Sequence, residues 1–265
     1  MNRAVWGVSA ALCLVGFLAI GGLVWPIASG YLSAFHHKDT AITPPKPSFD
    51  RAPLYGELAG KGFVLGDAAH VRIFKRERVL ELWLKRPGQR FAMFKSYPIC
   101  TYSGQLGPKL AEGDRQAPEG FYRVAEKQLN PASRHHLAFN IGFPNAFDRQ
   151  LDRTGSALMV HGGCSSIGCY AMGDQPVDEI YAIVEAALAQ GQPEVDVAIF
   201  PFRMTDVALS GETGSRWLPF WQNLKQGSDL FDATGEPPKV GACKGVYRFG
   251  TDAAAPDCTP ITGWV

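Results

Sequence analysis

Between Arg3 and Lys38 the sequence contains no Asp, Glu, Lys or Arg, and its centre reads AVWGVSAALCLVGFLAIGGLVWPIASGYLSAF. About 20 consecutive apolar residues suffice to cross a bilayer, and a lone Arg ahead of them suits an N-terminus that stays in the cytoplasm. Residues 1–35 are therefore expected to be a signal anchor. A cleaved signal peptide is the alternative, but its apolar centre would be shorter, and the best cleavage position, near Ala28, has Pro26 three residues before it. Leu12 before Cys13 argues against lipidation, which needs small residues there. Either way the rest of the chain is expected to be exported, periplasmic and tethered to the inner membrane by this segment. Its cysteines would then sit in an oxidising compartment.

Residues 36–69 read as a proline-rich linker, HHKDTAITPPKP, followed by a short helix that Ser48 can cap and that carries Phe49, Leu54 and Leu58. From Val71 the texture changes. VRIFK, VLELWLK, FAMFKSYPICTYS, GFYRV, SALMVHG and VDVAIFPFR are rich in β-branched and aromatic residues and are separated by Gly, Pro and charge clusters. GPKLAEGDRQAPEG between them is a long irregular loop of the kind that more often serves a site than not. DQPVDEIYAIVEAALA has the 3.6-residue apolar period of a helix, with Asp174 or Gln175 as cap and Gly191 as stop. SRWLPFWQNLKQG reads as a second helix, and the tail beyond Gly227 as irregular. With 46% hydrophobic and 19% charged residues the chain can bury a sizeable core. The fold class is α+β, mainly β, with one main helix. A formal net charge of +1 argues against a broad nucleic-acid footprint.

The chemistry concentrates in HGGCSSIGCYAM, residues 161–172. His161 closes a strand, and the glycines that follow let the chain double back, so Cys169 can return beside the imidazole. A neighbouring imidazole accepts a thiol proton and leaves a reactive thiolate–imidazolium pair. Cys169 rather than Cys164 fits, because it follows the turn and Gly168 lets a carbonyl approach closely. The amides of Gly168 and Cys169 could then face a developing oxyanion. Cys164 reads as a lining or core thiol and Cys100 as an inert core thiol, while Cys243 and Cys258 can pair, which would stabilise by about 3 kcal/mol in the chain-entropy model. A structural zinc site needs four ligands, and only His161-x2-Cys164 has suitable spacing, so no metal and no cofactor are expected. Asp114 and Glu119 read as solvated loop residues, and Arg123 as a solvent-facing strand residue.

Ser166-Ile167-Gly168-Cys169 resembles the Ser/Thr-His-Gly-Cys signature of the L,D-transpeptidase catalytic domain, the YkuD family. Ile167 replaces the second histidine of that signature, and Cys-Tyr-Ala-Met replaces the usual Cys-Val-Arg. Those departures, with GDRQAPEGFYRV and HLAFNIGFPNAFDR, point to the YafK-like subgroup. The resemblance covers roughly residues 70–205, the expected catalytic domain of YkuD-like β-sandwich form, with 206–265 as a C-terminal extension. It implies Cys169 as nucleophile, His161 as general base and the Gly162 carbonyl as orienter of the ring. The lining candidates are Ser166, His136, Asn140, Asn145 and Tyr170. It also implies action on peptidoglycan stem peptides, or on a murein-linked protein, by transfer of an acyl group from an L,D peptide bond to an amine. Transfer to water, which would make the enzyme a hydrolase of murein links, is the alternative, and a wall-binding module without turnover is the third.

Overall fold

The computed structural model describes residues 49–264. The apolar N-terminal segment, Cys13, the 36–47 linker and the proposed cap Ser48 lie outside the described residues. Among the described residues no helix is long and apolar enough to cross a membrane.

The chain opens with helix α1 (Ala52–Gly60), then strands β1 (Ala68–Phe74), β2 (Val79–Lys85), β3 (Ala92–Pro98), β4 (Thr101–Tyr102), β5 (Gly120–Val124), β6 (Leu129–Asn130) and β7 (Ala138–Asn140). Helix α2 (Ala146–Gln150), strands β8 (Met159–His161) and β9 (Tyr170–Ala171), helix α3 (Asp174–Ala189) and strand β10 (Val195–Phe200) follow. Helices α4 (Asp206–Ser210) and α5 (Leu218–Thr234) and strands β11 (Val240–Cys243), β12 (Val246–Phe249) and β13 (Cys258–Pro260) complete it. Two mixed five-stranded sheets result, in the orders β3-β2-β1-β10-β5 and β4-β9-β8-β7-β6, and β12-β11-β13 form a third. This is the α+β architecture expected.

The period-two alternation of a strand places successive side chains on opposite faces. In the first sheet Val71, Ile73, Leu80, Leu82, Leu84, Tyr122, Val124, Val197 and Ile199 face one way. They share a core with Phe139 and Val160 of the second sheet and with Val177, Ile180, Ile183 and Val184 of α3. On the opposite face lie His70, Arg72, Phe74, Phe121 and Phe200. Phe74, Phe121 and Phe200 join Trp221 and Leu224 of α5 and Ala242 and Tyr247 of the C-terminal sheet in a second core. The first sheet is thus buried on both faces.

That second layer departs from the sequence reading. The tail beyond Gly227 is a continued helix and a three-stranded sheet, and the helix predicted over 215–227 runs from Leu218 to Thr234, so there are two long helices rather than one. Gly227 does not stop α5, because it is the point of closest approach: a Cβ there would meet the Phe121 ring at 2.4 Å and the Phe249 ring at 2.6 Å. Gly235, at φ +67°, ends the helix. The start of α3 differs too, with Gly173 as N-cap in place of Asp174 or Gln175. Arg123 is not turned to solvent but pairs with Glu194 (3.1 Å) and Asp196 (2.9 Å).

His70 is buried under α5 with its ring centroid 4.9 Å from that of Phe231, and its Nδ1 lies 2.9 Å from the Asp196 carbonyl. Desolvation, aided by the Arg72 charge, pushes its pKa down to about 3. The unfolded chain takes up this proton near pH 6.5 and the folded chain does not. Stability from this group is therefore complete above pH 6.5 and falls by about 1.4 kcal/mol per pH unit below it. Denaturant unfolding at pH 7, 6 and 5 should show this slope, and His70→Asn should flatten it. An unchanged slope in the variant would locate the acid sensitivity elsewhere.

Candidate active site

His161 sits at the C-terminal end of β8, held between β7 through Ala138 and β9 through Ala171. Because β8 and β9 run parallel with His161 opposite Ala171, Cys169, two residues earlier, shares its face. Both side chains line one groove of about 490 Å³, together with Ser166, Ile167, Met159 and Ala157. The loop between them closes as its glycines require. Gly168 has φ +94°, and a Cβ on Gly162 would meet Asp174 Oδ1 and the His135 carbonyl, each at 2.7 Å. Asp174 Oδ1 accepts the Gly163 N–H (2.7 Å), which ties the loop to the first turn of α3.

The His161 ring is fixed by one hydrogen bond. Nδ1 lies 2.6 Å from the Gly162 carbonyl. A carbonyl only accepts, so Nδ1 carries the proton and the neutral ring presents Nε2 as a lone pair. Burial lowers the His161 pKa and nearby His135 adds to this, while the Gly162 carbonyl opposes it. The rings of His135 and His161 lie 4.8 Å apart. Cys169 Sγ accepts the Met159 N–H at 3.4 Å and lies 3.6 Å from the Ala157 carbonyl. Burial raises its pKa, with the Met159 N–H and the Lys109 charge opposing. Both shifts favour the neutral thiol and neutral imidazole. The ion pair expected from the sequence is therefore not the resting form, because neither charge is well solvated there.

The two amides assigned to an oxyanion are engaged at rest. Gly168 N–H donates to Ser103 Oγ, and Cys169 N–H donates to Ser166 Oγ (3.0 Å), whose own hydroxyl donates to the Cys169 carbonyl (2.7 Å). Ser166 thus clips the backbone of Cys169. Ser103 had no signal in the sequence, since it reaches the loop from a segment 65 residues away.

Two cysteine readings are overturned. Cys100 is exposed and bonded to Cys164, so neither is a core or lining thiol, and a zinc pair built on Cys164 has lost its sulfur. The bridge ties the loop between His161 and Cys169 to the β3–β4 connection. Cys243 and Cys258 pair as anticipated, and Cys169 is the free thiol among the described residues.

Of the lining candidates, Ser166 is in the groove. Tyr170 is fully buried and its hydroxyl donates to the Pro118 carbonyl (2.7 Å), so it faces away. Asn140 is buried, with Oδ1 accepting the Gly142 N–H. Asn145 caps α2, accepting the Asp148 N–H at 2.9 Å and donating to the Phe121 carbonyl at 2.7 Å. Both amides order turns of the core. His136 Nε2 lies 2.6 Å from Asp178 Oδ1 on α3. The groove is lined instead by its neighbours Arg134 and His135, which the sequence reading passed over. Adjacent residues entering a strand point to opposite sides, and which side meets His161 depends on the pairing of β7 with β8.

Two loop acids are also structural. Asp114 binds Lys109 (2.5 Å) and the amides of Leu110, Ala111 and Gln116. Glu119 is fully buried against Lys75.

With this geometry in view, comparison with known proteins is informative. The model of the L,D-transpeptidase catalytic domain, YkuD, matches residues 69–205. The chain is 49% identical over 184 residues to the protein named "Putative L,D-transpeptidase YafK" in Escherichia coli K12, covering 69% of this chain and 74% of that protein. The same figures hold for its counterpart in Escherichia coli O157:H7. A more distant likeness, with 20% identity and a TM-score of 0.42, links it to the helical cell shape determining protein Pgp2 (K307A mutant) from Campylobacter jejuni, covering 66% of this chain and 60% of that one. On the matched domain and the extent of the identity, the chain belongs to the YkuD family of L,D-transpeptidase catalytic domains.

Proposed function

We propose that this chain is an exported cysteine acyltransferase that acts on peptidoglycan stem peptides. The observation that carries it is the placement of a free thiol, Cys169, in one groove with a His161 whose Nδ1–H is held by a carbonyl. As the sulfur attacks the carbonyl of an L,D peptide bond, Nε2 of His161 takes the thiol proton. When the C–N bond breaks, that proton passes to the departing amine, leaving a thioester on Cys169. An incoming amine then attacks the thioester, giving its proton back through His161, and the sulfur leaves. Gly162 orients the base through its carbonyl, the part a third triad member plays elsewhere. For the Gly168 and Cys169 amides to stabilise the oxyanion, the carbonyl must displace the hydroxyls of Ser103 and Ser166. The two disulfides support an oxidising compartment, in keeping with a periplasmic site and an N-terminal anchor.

Hydrolysis is the second reading. It is favoured by the openness of the groove, whose rim residue Ile167 is 77% exposed, so water reaches the thioester as easily as an amine does. Incubation of the purified protein with disaccharide tetrapeptides and with cross-linked muropeptides decides. New dimers are the expected result. Shorter products without dimers would establish hydrolysis, and no change in either substrate together with an inert Cys169 would leave a wall-binding module.

A neutral resting pair has a kinetic signature. Alkylation of Cys169 by iodoacetamide should keep rising beyond about pH 8.5, because burial holds the thiol above its ordinary pKa. A rate already level at neutral pH would mean a preformed thiolate–imidazolium pair.

A further inference from the structure

The groove has a charge pattern that the acyl-transfer reading does not use. None of its lining residues is Asp or Glu, and apart from the histidines and Cys169 its one ionisable side chain is Arg134. The Arg134 side chain is exposed at the groove wall, next to the His135 that stacks on His161. No carboxylate among the described residues pairs with it, whereas the other cation felt at Cys169, Lys109, is committed to Asp114. Ser133, Ser165 and Asn130 add hydrogen-bonding groups around the same wall. A lone guanidinium in a concave site without a counter-charge raises the local concentration of anions. Its planar fork matches a carboxylate in two parallel hydrogen bonds.

We propose that Arg134 is a specificity-determining residue that anchors a free carboxylate of the substrate, fixing the attacked carbonyl over Cys169. The ligand is a peptide with an ionised carboxylate within one residue of the scissile bond, as on a C-terminal residue about to leave. This assignment rests on the reading of Cys169 as nucleophile. It predicts discrimination between a substrate with that carboxylate free and the same substrate with it converted to a carboxamide. The groove would bind the second weakly, because nothing then balances the guanidinium.

The test needs no turnover. Cys169 is alkylated in parallel with iodoacetate, which carries a carboxylate, and with iodoacetamide, its neutral isostere, and modification of the Cys169 peptide is followed by mass spectrometry. The iodoacetate-to-iodoacetamide rate ratio should fall about fivefold in Arg134→Ala, the size of a partly screened ion pair. It should fall further in Arg134→Glu and be largely retained in Arg134→Lys. In the unaltered protein the preference should shrink in 1 M salt, where screening acts within about 3 Å. With muropeptides, Arg134→Ala should raise KM for the free-carboxylate substrate about tenfold, leave kcat nearly unchanged and make the carboxamide substrate no worse. A ratio that is the same in the Ala, Glu and unaltered proteins overturns the proposal. That result with normal turnover would leave the acyl-transfer reading intact. A ratio that moves as expected in a protein that turns over no muropeptide would support the anion site and overturn the acyl-transfer reading.

Discussion

Cys169→Ala is expected to lower activity on muropeptides by about 10⁴-fold or more, because it removes the atom that forms the acyl intermediate rather than one that assists it. Its effect on stability should be small. Sγ makes one weak hydrogen bond from Met159 N–H in a groove that is open to water, so the lost methylthiol contacts are few. The informative comparison is with Cys164→Ala, three residues after His161. That variant breaks the bridge to Cys100, a cross-link over 64 residues that is worth about 4 kcal/mol in the chain-entropy model. It should lower the melting temperature well before it touches the chemistry, and the Cys169→Ala protein should do the reverse. Measured side by side, kcat/KM and Tm separate the two thiols. Cys169→Ala with a tenth of the activity retained would rule out this sulfur as nucleophile.

Lys75→Met should destabilise the fold by about 3–5 kcal/mol, the range for stripping a buried charge of its partner. Lys75 and Glu119 have no exposed side-chain surface and lie 2.9 Å apart. The ammonium also donates to the carbonyls of Gln105 (2.7 Å), Gly107 (3.0 Å) and Ala117 (3.1 Å). Glu119 accepts the Gly107 amide at 2.7 Å and the Trp221 indole N–H at 2.8 Å. Burial lowers the Lys75 pKa, and Glu119 is what opposes that. Without the lysine the carboxylate is left desolvated, and the 105–117 loop loses three anchors at once. Against a total stability of about 5–15 kcal/mol this is severe. Guanidinium unfolding monitored by circular dichroism measures it directly. Lys75→Met combined with Glu119→Gln should recover part of the loss, since the orphaned charge is then gone. A loss below about 1 kcal/mol in the single variant would mean that water reaches the pair. The loop also bears on the site: Gln116, at its end, donates to the carbonyls of Gln105 (2.6 Å) and Gly107 (2.7 Å), close to the Ser103 that holds Gly168.

The strands of the first sheet were legible because their code is local. VLELWLK and GFYRV occupy β2 and β5 to the residue, and the apolar period of α3 ends where Gln190 and Gly191 take over. The short strands β6, β7 and β9 were not, because two- and three-residue pairings take their stability from neighbours rather than from their own composition. His161 and Cys169 could be paired from spacing, since glycines and a single turn connect them. The partners of that pair could not. Ser103 and Cys100 come from more than 60 residues away, and whether His135 or His136 faces the groove is a matter of strand register.

The linear order of residues therefore determined the chemistry on offer: a thiol, an imidazole and a hinge between them, on a mainly β scaffold. Only the folded arrangement decided the state of that chemistry. Burial depends on what the rest of the chain lays over each group, and it alone turned Glu119 from a loop acid into half of an interior ion pair. The same effect holds thiol and imidazole uncharged at rest, and occupies both oxyanion amides with serine hydroxyls brought in from elsewhere in the chain.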